Sequence, residues 1–149
     1  MQDLWVSLPI CPIEIHTTRR QAEDYPKSLN TLADHIKAKR LDQRLSQKQL
    51  AKILDVKVQT FWTWETMGAN PLPIMMKRIV IWLGYVPMIG RDKNMLSGQL
   101  YTFRMNHGYT QKHIAEILRI DRWAVTKIEN DKTVDQKYID RIRELITNR

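Results

Sequence analysis

The sequence has little that would support a secreted, membrane-spanning or metal-binding protein. Its single cysteine, Cys11, cannot form a disulfide within the chain, and no basic-then-apolar start resembles a signal peptide. The longest candidate apolar run, Ile79 to Leu83, covers about one and a half helical turns and cannot span a bilayer. Four histidines lie without metal-ligand spacing, at His16, His35, His107 and His113. We therefore expect a cytoplasmic protein with no membrane partner, no metal and no cofactor.

Acidic residues are also scarce relative to basic ones, with 16 Asp and Glu against 24 Lys and Arg. The excess lies in residues 26–90 (10 basic, 4 acidic) and 91–149 (12 basic, 8 acidic), whereas residues 1–25 carry 2 basic and 4 acidic side chains. This distribution suits a polyanionic partner such as nucleic acid, although a basic soluble protein without one is the alternative. No nucleophile and base pattern, phosphate-binding loop or paired carboxylate site is evident, so we predict that the chain is not an enzyme.

What the sequence does contain is an internal repeat at an offset of 64 positions. The stretch 46–65 (SQKQLAKILDVKVQTFWTWE) aligns without a gap with the stretch 110–129 (TQKHIAEILRIDRWAVTKIE). Upstream of the two stretches, Arg40 falls on Arg104. A repeat at a fixed offset indicates one structural unit used twice. The identical pairs within the stretches are Gln47/Gln111, Lys48/Lys112, Ala51/Ala115, Ile53/Ile117, Leu54/Leu118 and Glu65/Glu129.

Hydrophobic spacing predicts an all-α chain with four to five short helices in each unit and no strand. The domain boundaries that we predict are an irregular N-terminal arm at 1–26, a first domain at 27–87, a linker at 88–95 and a second domain at 96–149. In the first domain the predicted helices run from Ser28 to Leu41 with Ser28 or Asn30 as cap, from Gln47 to about Leu54 with a Ser46–Gln49 capping box, from Val58 to Glu65, and from Ile74 to Leu83 before Gly84. In the second they run from Leu96 to Asn106, from Gln111, from Arg122, and from Val134 to Thr147.

Both copies resemble the lambda-repressor-like (Cro/C1-type, xenobiotic-response-element) helix-turn-helix family over residues 30–86 and 96–147. Ala51 and Ala115 are the small residues that a close crossing of the two motif helices needs. The segment PLPIMMKRIVIWLGYVP resembles the ending of one bacterial branch of that family. The resemblance implies structural ion pairs of Arg40 with Glu65 and of Arg104 with Glu129. One departure is the turn residue, usually glycine, which here is Asp55 or Arg119.

The resemblance further implies that the third helix of each unit lies in the major groove of double-stranded DNA. The base-reading positions would be Val58, Gln59, Trp62 and Thr63 in the first unit, and Arg122, Trp123, Thr126 and Lys127 in the second, with Gln59 and Arg122 foremost. The phosphate-binding positions would be Gln47, Lys48, Lys57, Gln111 and Lys112. For the two tryptophans, inward packing is the competing interpretation.

The functional hypothesis is a sequence-specific DNA-binding transcriptional regulator, most simply a repressor, in a bacterial or phage-like nucleoid. A single chain with two different heads would prefer an asymmetric target, whereas a homodimer formed through one head would bind a palindrome. A protein-interaction or assembly module, in which one head no longer binds DNA, is the first rival, because helix 3 of the first unit carries two tryptophans and one nearby cation, Lys57. An antitoxin-like or RNA-binding role is the second rival, since a fold does not fix a function.

Overall fold

A computed structural model describes residues 25–148 of the chain. The arm predicted at 1–26, with Cys11 and His16, therefore lies almost entirely outside the described residues. Residues 25–148 form eight α-helices and no strand, as the all-α prediction requires. In chain order the helices are α1 (Leu32–Asp42), α2 (Gln47–Ile53), α3 (Val58–Thr66), α4 (Pro73–Leu83), α5 (Leu96–His107), α6 (Gln111–Leu118), α7 (Arg122–Glu129) and α8 (Gln136–Thr147).

Helix ends follow local capping chemistry, and in one place the predicted cap was wrong. Helix α2 begins after Ser46, whose hydroxyl accepts from the backbone N–H of Gln49 while the Gln49 side chain accepts from Ser46 N–H, which is the predicted capping box. The cap of α1 lies three residues after Ser28 and one after Asn30, the two predicted caps, because Thr31 and Asp34 form the capping box there. The final helix begins at Gln136, two residues later than predicted.

Left-handed backbone conformations end several helices. Gly84 follows α4 with φ 78°, as predicted, and Gly108 follows α5 with φ 70°. In the turns after α2 and α6, Asp55 has φ 55° and Arg119 has φ 51°. The turn position that is usually glycine in the family that the sequence resembles therefore carries a side chain in a left-handed conformation.

The buried apolar side chains form two clusters. We call α1–α4 the first unit and α5–α8 the second unit. The first cluster is built around Ile36, Leu50, Phe61 and Ile79, all with no exposed surface, and the second around Leu100, Ile114, Val125 and Ile142, equally buried. Met105 of α5 is a member of the first cluster, so the units are also joined by apolar packing, and α4 lies along α5.

Candidate nucleic-acid interface

A buried ion pair fixes the end of α3 against α1 within the first unit. The guanidinium of Arg40 donates to Glu65 Oε1 through Nε (2.8 Å) and lies 2.6 Å from it through Nη2, with side-chain exposures of 10% for the arginine and 2% for the glutamate. The side-chain amide of Gln47 donates to the other carboxylate oxygen of Glu65 at 2.7 Å. Helices α1, α2 and α3 are therefore tied together at one carboxylate.

The second unit repeats this arrangement. Arg104 donates to Glu129 through Nε at 2.6 Å and through Nη2 at 3.1 Å, and the amide of Gln111 donates to Glu129 at 2.8 Å. Thr126, on the outer side of α7, donates to the amide oxygen of Gln111 at 3.0 Å. Both polar ends of the Gln111 side chain are thus used inside the protein, where they fix the start of α6 to α7.

This placement changes how the predicted glutamines should be interpreted. Gln47 and Gln111 lie at the first position of α2 and α6, where phosphate contacts were predicted, and each is half-buried with its amide nitrogen bonded to a glutamate. Their direct structural role is to orient the third helix of each unit. Sequence reasoning missed this bond, although the same glutamine and glutamate recur 18 residues apart in both copies.

The outer face of α3 is apolar and amide-bearing. Val58 is 44% exposed and Trp62 37% exposed, and Gln59 lies exposed beside them. Thr63 is half-buried and donates to the backbone carbonyl of Thr60 at 2.7 Å. The neighbouring Trp64 is 6% exposed and fills the core, so the two tryptophans of α3 point in different directions.

Three lysines surround the beginning of α3. A surface cleft of about 480 Å³ is lined by Lys48, Lys52, Asp55, Val56, Lys57 and Val58. Lys48 and Lys57 were predicted phosphate-binding positions, and the structure brings them together with Lys52, which was not. One carboxylate, Asp55, shares the cleft and pairs with Arg78 at 3.1 Å. The cleft therefore has a net excess of positive charge.

The outer face of α7 is more strongly cationic. Arg122 is exposed, Trp123 is 54% exposed, and the ammonium of Lys127 lies 4.2 Å from the centroid of the Trp123 ring. A cation over an indole face restrains both side chains. A cleft of about 500 Å³ here is lined by Gln111, Arg122, Trp123, Thr126, Lys127, Asn130 and Lys132. Three cations and no carboxylate line this cleft, in which the structure gathers all four base-reading positions predicted on α7.

The turn between the second and third helices is held by a cation from the last helix of each unit, and the sequence patterns did not suggest this. Arg78 of α4 donates to the carbonyls of Leu54 (3.1 Å) and Asp55 (3.3 Å), and Arg141 of α8 donates to those of Leu118 and Arg119, both at 3.4 Å. Each cation lies near the carbonyl-rich end of α2 or α6, where positive charge is favourable.

The remaining predicted phosphate-binding position, Lys112, lies outside both clefts. Lys112 is exposed and lies 3.7 Å from Glu116 of the same helix, so its charge is partly shared. Across the described residues no group of three or more His, Cys, Asp or Glu side chains could hold a metal ion, and no helix there is long and apolar enough to cross a membrane. Comparison with family models, curated proteins and solved structures finds no match.

Proposed function

We propose that this chain is a sequence-specific double-stranded DNA-binding regulator, most simply a repressor, built from two helix-turn-helix domains of the lambda-repressor-like type. In each domain the third helix, α3 or α7, would enter the major groove, and the second helix would cross behind it. The proposed domains are residues 27–87 and 96–149. The proposed place of action is a bacterial or phage-like nucleoid.

The observation that carries this proposal is the cleft on the outer face of α7. Arg122, Lys127 and Lys132 supply positive charge for phosphates or guanine, and Gln111, Thr126 and Asn130 surround them with polar groups. Because no carboxylate lines this cleft, its charge fits a polyanion better than a neutral ligand.

The duplicated Arg–Glu–Gln cluster supports the same conclusion. It uses a buried charge pair to fix the third helix, although apolar packing of the same volume would often be as stable. A protein that must hold an exposed helix in one orientation has a reason to keep such a cluster, and here it stands twice, around Glu65 and around Glu129. The outer side chains of α3 and α7 are then presented by a preorganised support.

The first test is selection of bound sequences from randomised duplexes, followed by footprinting of the best binder. We expect a defined consensus, and affinity that falls steeply with salt because phosphate contacts release counterions. Arg122→Ala should cost about 1–3 kcal/mol at one base pair and relax the preference there. Lys112→Ala should weaken all duplexes together and lower the salt slope by about one.

The control for these variants is Arg143→Ala on α8, which removes the same charge from an exposed position outside the α7 cleft. It should leave the consensus and the affinity nearly unchanged. Equal binding of every duplex by the wild type, or a preference for RNA over all duplexes, would contradict the proposal.

A second candidate function has support in the first unit. The outer face of α3 exposes Val58 and Trp62 and carries no cation between Val58 and Thr66, so it also fits an apolar protein surface. In that case Trp62→Ala would abolish a protein complex while DNA binding through α7 stayed intact. If Trp62→Ala instead alters the selected consensus, the first unit reads DNA.

A further inference from the structure

The two copies of the first helix differ at most positions, and three of these differences lie along one side of the helix, which we call the stripe. Aligned by the repeat, α1 and α5 are identical only at Leu32/Leu96 and Arg40/Arg104, whereas the positions of the stripe have the spacing i, i+3 and i+7 and therefore share one face. Two of the three stripe residues are charged in α1, and none is charged in α5. The pairs are Asp34/Gly98, Lys37/Tyr101 and Leu41/Met105, and just beyond the helix ends Arg44 aligns with Gly108.

This stripe of α5 is the surface that meets the first unit. Met105 is 5% exposed within the first core cluster, and Tyr101 packs against the same cluster. A Cβ on Gly108 would lie 3.3 Å from the Cβ of Lys77 and from the carbonyl oxygen of Pro73, so α4 approaches closely here. The opposite side of α5 packs into the second cluster through Leu100 and Phe103. Helix α5 is thus buried on two sides.

The segment between the units is packed as well. A Cβ on Gly98 would overlap the backbone carbonyl of Asp92, which leaves glycine as the residue that fits. The guanidinium of Arg91 lies 4.6 Å from the centroid of the Tyr101 ring and donates to the backbone carbonyl of Glu129 at the end of α7. Arg91 therefore connects the interunit segment, the stripe of α5 and the proposed reading helix.

We propose that the two units form one rigid body, and that a single chain recognises one bipartite duplex site of fixed spacing and without twofold symmetry. This inference rests on the proposed function for its DNA part. The asymmetry follows because the outer residues of α3 differ from those at the matching positions of α7, as in the pairs Val58/Arg122, Gln59/Trp123 and Trp62/Thr126. Arg91 and Tyr101 are positioning residues in this scheme, since they act on α7 and not on DNA.

The rigid-body part is tested without DNA by residual dipolar couplings of backbone amides in the full chain. Couplings from α1–α4 and from α5–α8 should fit one alignment tensor in the wild type. The double variant Tyr101→Lys, Met105→Leu gives α5 the residues that α1 has at the matching positions, and it should yield two different tensors. Two distinct tensors in the wild type would overturn the rigid body.

The role of Arg91 is tested by amide resonances near Glu129. Arg91→Gln should shift these resonances, and Arg91→Lys should restore part of the shift. Lys93→Gln, at an exposed residue of the same segment, should leave them unchanged.

The DNA part is tested with the duplex obtained by selection, into which 5 or 10 base pairs are inserted between the two contacted segments. For a rigid chain both insertions should reduce affinity by about 10²–10⁴-fold, because one head then binds alone. A flexible chain would recover affinity with the 10-base-pair insertion, which restores the same face of the helix. That recovery, or a footprint insensitive to variants of one head, would overturn fixed spacing. Absence of all duplex binding would overturn the proposed function and leave the dipolar-coupling result to decide the rigid body.

Discussion

The buried cluster around Glu65 yields the sharpest prediction about stability. In Glu65→Gln the side chain keeps its shape but loses its charge, while Arg40, with 10% of its side chain exposed, stays buried without a counter-charge. Glu65 accepts two close contacts from Arg40, at 2.8 and 2.6 Å. Hydrogen bonds to charged groups contribute about 1.5–3 kcal/mol each, and breaking a buried pair costs about 3–5 kcal/mol. We therefore expect a loss of about 4 kcal/mol of unfolding free energy.

The measurement is equilibrium unfolding in urea followed by circular dichroism. With a slope of about 2 kcal/mol per molar, the loss corresponds to a midpoint lower by about 2 M. Such a change is a large fraction of the roughly 5–15 kcal/mol that stabilises a typical domain. Glu129→Gln should have a similar effect because its side chain is equally buried, at 2% exposure.

The matched control is Glu116→Gln, the same chemical change in an exposed pair with Lys112 on one helix. Exposed pairs of this spacing contribute about 0.3–0.5 kcal/mol, so its midpoint should hardly move. The joint replacement Arg40→Met, Glu65→Leu should recover part of the loss, because it leaves no unpaired charge although the amide of Gln47 loses its acceptor. If Glu65→Gln costs no more than Glu116→Gln, the cluster is not the support that we describe.

Three further variants test local features. Arg119→Gly should stabilise the protein by about 0.5–1 kcal/mol in thermal unfolding, because it relieves a side chain at φ 51°; a loss of stability would contradict this. Thr31→Ala should cost about 0.5–2 kcal/mol in urea unfolding by removing the cap of α1, and an unchanged midpoint would refute the cap. Burial lowers the pKa of His35 below 6.5, so its neutral form stabilises the fold above pH 6.5 and this contribution is lost as pH falls through the folded-state pKa. His35→Phe should therefore flatten the pH dependence of the urea midpoint below pH 6.5, and an unchanged profile would contradict this.

Much of the helical architecture could be predicted because it depends on local chemistry. A helix can begin at a capping pair such as Ser46 with Gln49 and end at a glycine such as Gly84. Both signals depend on residues only a few positions apart. The wrong cap of α1 has the same origin, since Ser28, Asn30 and Thr31 all compete locally and Asp34 decides between them from within the first turn.

The supports of the proposed reading helices were harder to predict, because they join side chains distant in sequence. The bond from Thr126 to Gln111 and the bonds from Arg141 to the turn depend on how helices cross, and amphipathic spacing does not encode that. The exposure of Trp62, in contrast, could be predicted from Trp64, because neighbours two apart on a helix face different directions.

Comparison of the two copies of the repeat indicates how the units pack against each other, which the pattern of one helix alone does not show. Helix α5 combines a core side with a second buried side, so that its exposed polar face is narrow and includes Gln99 and Asn106. Comparison of α1 with α5 reveals that second side, since Asp34 is replaced by Gly98 and Lys37 by Tyr101. Two units with identical first helices would pack in this way only at a cost, because the charges of α1 would have to leave water where α5 meets α4. The divergence of the copies therefore fits the packing between the units, and a chain that carries the charged residues of α1 on the stripe of α5 should hold its two units apart.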